Sequence, residues 1–368
     1  MTDWKAIRAE VPALAKCVYL NTATYGQTPR CAVQAIDRHL AHRDEKACAD
    51  FLSWFDDADG VRADLGRLVR CSAEDIAFLP TAASALSLLI GGIDWQRGER
   101  VVTLAGEFPN NLYYPAMLGE RGVEFVETPW SGFLDALTPG TRLAAISSAN
   151  YSTGFLPPIE TVARECERRG ILFYLDGTQS VGALRMDLKM FETSMMAVDC
   201  YKWMLTPNGI SFVYVHPRVR QWLAPNVIGW RSHEEWRSVD RLHHGIPRLS
   251  PKAERYEGGM LPFPQIYAAG AIARWMLEIG PAEIEQRVLG LAAQLCTALR
   301  GLGAEVLHEG TPIVAARFEG RDASPLARKL GARGVLVSAR HGNLRVSVHF
   351  YNDETDLDRF VSTLRAIL

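Results

Sequence analysis

The 368 residues contain no CxxC pair, no GxGxxG turn and no apolar run near the roughly 20 residues that cross a bilayer. Each absence narrows what the chain can be. Without GxGxxG after the first strand, a nicotinamide-dependent dehydrogenase loses its phosphate-binding turn. Seven cysteines at irregular spacing, odd in number, read as reduced and mostly buried thiols; Cys200, two residues before Lys202, stands apart. His243-His244 is the only adjacent histidine pair, and no acid or cysteine is spaced to complete a metal site, so no metal is expected. Charge of one sign is also missing. Lys and Arg number 40 against 42 Asp and Glu, for a net charge of -2, which leaves no electrostatic footprint for nucleic acid or an acidic membrane. The start, MTDWKAIRAEVPAL, carries acids early and lacks a signal-peptide core, so a cytoplasmic location is expected. No repeat or low-complexity linker interrupts the sequence.

What is present is an ordinary globular balance, 48 % apolar and 22 % charged, in a chain long enough for about two domains. After an N-terminal arm (1–20), Pro29 opens a helical pattern through CAVQAIDRHLAHRDEKACADFL, and a second helical stretch follows across DDADGVRADLGRLV. The middle alternates apolar runs with helical patterns. RVVTLA, VEFVETP, TRLAAISSAN, ILFYLD, SMMAVDCY and ISFVYVH read as strands; NNLYYPAMLGERG and IETVARECERRG read as helices. Strands joined by helices imply right-handed crossovers and a mostly parallel sheet covered on both faces. The short PNG turn before ISFVYVH allows that strand to pair antiparallel. From about residue 250 the pattern shifts to two long helices, short strands and a terminal helix. The expected organisation is a large α/β domain (21–249) followed by a smaller α+β domain (250–368).

In open α/β sheets the ligand lies beyond the carboxyl ends of the strands. There the sequence places Glu107-Phe108, Asn150, Asp176 and Lys202. Asp176 alone reads equally well as a helix N-cap, and Lys202 alone as a surface residue. Together they put opposite charges at two strand ends facing one crevice. Pyridoxal phosphate needs a lysine amine for its aldehyde and an acid beside its pyridine nitrogen. Each pKa unit by which such an acid raises the ring nitrogen represents about 1.4 kcal/mol. A lysine freed from the aldehyde becomes a positioned base for the α-proton. Thr81-Ala82-Ala83-Ser84, directly before an apolar helical pattern, offers a helix N-terminus with small side chains for a phosphate; Thr81 is equally a plain N-cap. Phe108 offers a face for ring stacking, and core packing is its ordinary alternative.

Residues 176–215, DGTQSVGALRMDLKMFETSMMAVDCYKWMLTPNGISFVYV, resemble the cofactor core of the class V aminotransferase family of fold-type I pyridoxal-phosphate enzymes. That family includes cysteine desulfurases, kynureninases and isopenicillin-N epimerase-like proteins. The resemblance extends through YLNTATYG, TAASA, EFPNN, SSANYSTG and LRVSVHFYNDETDLDRF, nearly the whole chain. It implies pyridoxal 5'-phosphate held by Lys202 as a Schiff base, with Asp176 on the ring nitrogen and Gln179 near the phenolic oxygen. It further implies Phe108 stacking on the ring, Thr81, Ala82 and Ala83 on the phosphate with Tyr201 adding a hydroxyl, and Asn150 near the ring oxygen or substrate. Arg345 matches the arginine that clamps the substrate α-carboxylate, a task suited to a guanidinium fork, and Asn21 lines the substrate entrance. A plain strand arginine is the alternative for position 345. The family builds its active sites at a dimer interface, so a homodimer with a shared site is implied.

Three departures narrow the activity. Desulfurases carry a nucleophilic cysteine on a mobile loop shortly before the carboxylate-binding arginine, whereas VLVSARHGNLRVS is short and has no cysteine. Met260, in EGGMLPFP, stands where the family has a threonine that reaches the partner's phosphate. Trp230, in IGW, resembles the tryptophan with which kynureninases do the same. The expected function is therefore a class V aminotransferase-like enzyme whose small-molecule substrate is an amino acid. Kynureninase-like or carbon–sulfur lysis and epimerisation are the alternatives, and a non-catalytic α/β binding protein is the reading from another class.

Overall fold

The computed structural model describes residues 2–368. Its centre is a seven-stranded sheet in the spatial order Ile76–Leu79, Ser211–Val215, Met195–Asp199, Leu172–Asp176, Thr141–Ser147, Arg100–Leu104, Glu124–Thr128. Neighbouring pairs from Met195–Asp199 to Glu124–Thr128 are parallel. Ser211–Val215 runs antiparallel to both of its neighbours, as the PNG turn allows.

Side-chain alternation explains why both faces are covered. Ala144, Ile146, Phe173, Leu175, Met196 and Val198 point into one core, while Leu143, Ala145, Tyr174, Met195 and Ala197 point into a second on the opposite face. Helix Ala82–Gly92 seals the second core with Leu86, Leu89 and Ile90. The first core receives Trp54, Phe55, Val61 and Leu65 from helix Ser53–Val69, then Phe263, Ile266 and Ile272 from helix Phe263–Ile279. That long helix lies along both Arg30–Lys46 and Ser53–Val69.

The C-terminal part adds a four-stranded antiparallel sheet, in the order Ser338–Arg340, Asn343–Ser347, Ile313–Arg317, Glu305–Val306. The first two strands form a hairpin whose turn is only His341-Gly342, both left-handed at φ 46° and 78°. Two left-handed central residues match the twist of a tight hairpin, with histidine where asparagine is commoner. The chain's beginning joins this region: Val18–Tyr19 pairs in parallel with Val335–Leu336, and Asn21 bridges to Ser347. Among the described residues no helix is long and apolar enough to cross a membrane.

Three local expectations are corrected. The helix expected from Pro29 ends at Lys46, because Ala47 and Cys48 are both left-handed (φ 49° and 61°), and the turn lets His42 meet Asp50 at 2.8 Å. The segment expected as one helix after Asn110 breaks into a 3-10 turn Pro109–Asn111, a short helix Tyr113–Met117 and another 3-10 turn Leu118–Arg121. Pro115 brings no N–H to that ladder, and the Asn111 side chain is turned inward to Glu107 and Ser147. Edge strand Ile76–Leu79 has no counterpart in the sequence reading; its outer N–H at Phe78 is capped by the buried Glu257 carboxylate at 2.8 Å.

Candidate active site

Asp176 ends its strand, and Lys202 follows three residues after the adjacent strand ends at Asp199. Thr178 clips the two strand ends together. Its N–H donates to Asp176 Oδ1 at 3.0 Å, and its hydroxyl accepts the Asp199 N–H at 3.0 Å. Lys202 is only 7 % exposed, with its amine 5.3 Å from the Phe108 ring centroid and 5.5 Å from that of Tyr201. Burial is the largest influence on that amine and pushes its pKa down, against the pull of Asp176 and Asp199. The shift is toward the neutral, nucleophilic form.

The backbone around Lys202 is held from several sides. Gly26 donates its N–H to Tyr201 O at 2.8 Å, and a Cβ at Gly26 would lie 1.9 Å from Lys202 O, so only glycine fits there. Leu205, in a left-handed conformation at φ 55°, closes a turn by donating its N–H to Lys202 O at 3.1 Å. His349 is fully buried and pushed down to about 3 by that burial, hence neutral. Its Nδ1 accepts the Phe350 N–H, so its Nε2–H donates to Trp203 O at 2.8 Å.

Helix Ala82–Gly92 points its N-terminus at the same region. Thr81 accepts the Ser84 N–H at 3.1 Å and so does act as the N-cap. The Ala82 N–H donates to Asp199 Oδ1 at 2.7 Å, and the Tyr174 hydroxyl donates to Ala82 O at 3.0 Å. Burial first, then the neighbouring Asp176 charge, push the Asp199 carboxyl up to about 6. Tyr201 lies 5.0 Å from Tyr25, ring to ring. Its hydroxyl, pushed up to about 12 by burial and then by Asp199, has no hydrogen-bond partner among the described residues.

Glu107, three residues past the end of its strand, is buried under the Ser147 strand end. It accepts the Ser147 N–H at 2.6 Å, the Ser147 hydroxyl and the Asn111 amide at 3.2 Å, and burial pushes it up to about 7. Phe108 packs edge-on against Tyr151 at 5.1 Å. The Gln179 amide is fixed by donating to Ala23 O at 3.1 Å and accepting the Trp203 indole N–H at 2.9 Å. Asn150 spends its amide locally. It donates to Gly106 O at 2.9 Å, while its oxygen accepts from Ser152 N, Thr153 N and the Thr153 hydroxyl.

At the other edge of the site Arg345 is 1 % exposed. Its guanidinium donates to Ser338 Oγ at 3.0 Å, to Tyr151 O and to the Thr24 hydroxyl. Thr24 passes its own proton to Asn21 Oδ1 at 2.8 Å, which ties Asn21 to this end of the site. Burial, then the charge of Arg340, push Arg345 down to about 9.

The structure thus gathers Asp176, Phe108, Tyr201, Ala82 by way of Asp199, and Arg345 with Thr24 and Asn21, about Lys202. Trp230 packs edge-on against Phe55 at 6.0 Å and Trp236 at 5.5 Å, with no hydrogen bond or ring contact to the lysine cluster within one chain. Met260 is exposed. Sequence reasoning missed Asp199, Glu107 as a buried acid, Gly26, Thr24 and His349. The acid in DCYK was a visible signal for Asp199; the contacts of the others are long-range.

Comparison with known proteins gives one family over almost the whole length. Residues 18–360 match the family described as Aminotransferase class-V. A probable cysteine desulfurase of Pyrococcus abyssi is 21 % identical over 98 % of this chain and 97 % of its own. The isopenicillin N epimerase of Streptomyces clavuligerus is 25 % identical over 100 % of this chain and 99 % of its own. Among solved structures, a mutant of C-DES with glycine covalently linked to its PLP cofactor superposes with a TM-score of 0.89 at 20 % identity, covering 97 % of this chain and 98 % of that one.

Proposed function

This chain belongs to the class V aminotransferase family and has the fold-type I architecture, and on that footing we propose that it is a pyridoxal-phosphate enzyme that transfers the amino group of an amino acid, with Lys202 as the point of cofactor attachment. The observation that carries the proposal is the Lys202 amine: buried, depressed toward its neutral form, and set between the Phe108 and Tyr201 rings within reach of the Asp176 charge.

The donor set fits the cofactor. A nucleophilic amine, a carboxylate for a ring nitrogen, an aromatic face, a helix end with alanine side chains and a free phenolic hydroxyl answer each group that pyridoxal phosphate presents. When bound, the cofactor supplies a ring that absorbs the electron pair left by a bond broken at the substrate α-carbon. Asp176 would hold a proton at the ring nitrogen, and Phe108 would offer the ring an aromatic face. Thr81, Ala82 and Ala83 would take the phosphate at the helix end, joined by the Tyr201 hydroxyl, with the Ala82 N–H given up by Asp199. Gln179 has one amide N–H left for the ring oxygen, and Asn150 stiffens the turn beside it. Lys202, once its amine is released, moves the proton at the α-carbon.

Arg345 receives the α-carboxylate, and Asn21 orients Thr24 beneath it. The Arg231 N–H donates to Gly258 O at 3.1 Å, which sets the Trp230 segment beside the one that carries exposed Met260, and a homodimer that brings Trp230 to its partner's phosphate would complete the site. The two-residue turn His341-Gly342 leaves no room for a mobile cysteine-bearing loop before Arg345, which supports amino-group chemistry over cysteine desulfuration.

The test is reduction with borohydride followed by peptide mapping. The yellow protein should lose a band near about 420 nm and carry the reduced cofactor on Lys202. Lys202→Ala should fold yet show no reducible band. Label on any other lysine, or an unchanged band in the variant, overturns the assignment. Keto acid and ammonia measured in parallel separate amino transfer from lysis.

A further inference from the structure

We propose that Arg340 stands beside Arg345 as a second anion-binding residue, so that the site takes amino acids whose side chain also ends in a negative charge. The inference rests on the reading of Arg345 as holder of the α-carboxylate and adds the side chain's identity.

Two guanidinium groups meet at one hydroxyl. Thr24 gives its single proton to Asn21 Oδ1 at 2.8 Å, so its oxygen is left as an acceptor only. Arg345 Nη2 donates to that oxygen, and Arg340 Nη2 donates to it at 3.3 Å. Like charges this close repel, with Arg345 buried and Arg340 half-buried. Among the described residues neither Arg340 nor Arg345 has a carboxylate within salt-bridge distance. The fold's other buried arginines are treated differently. Arg62 and Arg231 both bind Glu257, at 2.6 and 2.7 Å, and Arg220 binds Asp75 at 2.5 Å. An uncompensated pair in one place implies that the counter-charge arrives with the ligand.

The pair also faces the chemistry. The charges of Arg340 and Arg345 are both felt at Lys202, where they favour the neutral amine, and Arg340 adds to the depression of Arg345. Arg340 uses only two of its five N–H groups, on Ala339 O at 2.8 Å and on Thr24, so three remain for a ligand. The hairpin that carries it ends in His341, whose ring meets the Tyr151 hydroxyl at 2.5 Å and walls the outer edge. One α-carboxylate neutralises one guanidinium. A second carboxylate, at the end of an aspartate or glutamate side chain, neutralises the other.

The experiment titrates the holoenzyme with L-aspartate, L-glutamate, L-asparagine, L-glutamine and L-alanine, reading binding from the change in cofactor absorbance. Acids should bind roughly 10- to 100-fold more tightly than their isosteric amides, the size of a charge-assisted hydrogen-bond pair. Arg340→Gln should bring the acid-to-amide ratio close to one, and Arg340→Lys should restore part of it. Equal binding of aspartate and asparagine by the unmutated enzyme overturns the inference and leaves the functional reading standing, as does a ratio unmoved in Arg340→Gln. A cofactor band that responds to no amino acid sinks the functional reading, and this inference with it.

Discussion

Asp199 accepts the N–H of Ala82 at 2.7 Å, so the first donor of the helix end where a phosphate is expected is already met by an acid of the chain itself. A carboxylate and a phosphate side by side repel, and the Asp199 carboxyl is held up at about 6, which makes its charge state a variable near neutral pH.

Cofactor retention should therefore depend on Asp199 in a pH-sensitive way. Above about pH 6 the residue is ionised and opposes the phosphate; below that it is neutral and does not. Asp199→Asn keeps an oxygen for Ala82 and should bind cofactor about tenfold more tightly at pH 8, with the advantage shrinking towards pH 5. Equilibrium dialysis of the two proteins across that range decides the matter. Equal affinities throughout would remove Asp199 from the phosphate region.

Glu107 makes a prediction for the cofactor-free protein. Its folded value, about 7, lies above the ordinary 4.5, so its contribution to stability is fully present below about pH 4.5 and is lost as pH rises through 7. The linked free energy amounts to about 3 kcal/mol at most. Glu107→Gln does not titrate, so the stability of the natural protein relative to this variant should fall between those two pH values. Urea denaturation of both at pH 4.5, 6 and 8 checks it, and a difference that stays flat contradicts the burial argument.

Arg345→Ala should weaken binding of α-carboxylate substrates by about 100-fold, since a bidentate, charge-assisted contact is lost. Far-UV circular dichroism should be unchanged, and the corresponding amines without a carboxylate should show no such penalty. An unaltered apparent affinity would remove Arg345 from the site.

Gly26→Ala tests the backing of the lysine turn. The added Cβ would meet Lys202 O at 1.9 Å, and the backbone must move. A loss of about 1–3 kcal/mol is expected, as for other overpacked sites, together with a shift of the cofactor band. A variant with unmoved melting temperature and band would show that Lys202 tolerates displacement.

Much of this was legible in the sequence because it is local. Apolar runs such as ILFYLD and TRLAAISSAN, separated by helical patterns, fix a parallel sheet, and a sheet of that kind places Asp176 and Lys202 at neighbouring strand ends. Other features depend on contacts that spacing does not encode. Ile76–Leu79 is only four residues long and gains its strand identity from Ser211–Val215, more than 130 positions away. Asn150 looks like a free amide in SSANYSTG, yet its oxygen is used by the turn it belongs to. Asp199 reads as one more polar residue between an apolar run and a lysine, and only the fold sets it against Ala82. His349 and Gly26 brace the lysine from opposite ends of the chain, a relationship no local pattern carries.

The pairing of Val18–Tyr19 with Val335–Leu336 has a consequence for how the protein matures. Thr24 and Asn21 emerge early in synthesis and Arg340 and Arg345 near its end, yet the four share one hydrogen-bond network. A nascent chain that has passed residue 202 already carries Asp176 and Lys202 but not yet the two arginines. That network closes only when the carboxyl-terminal segment meets the amino-terminal one.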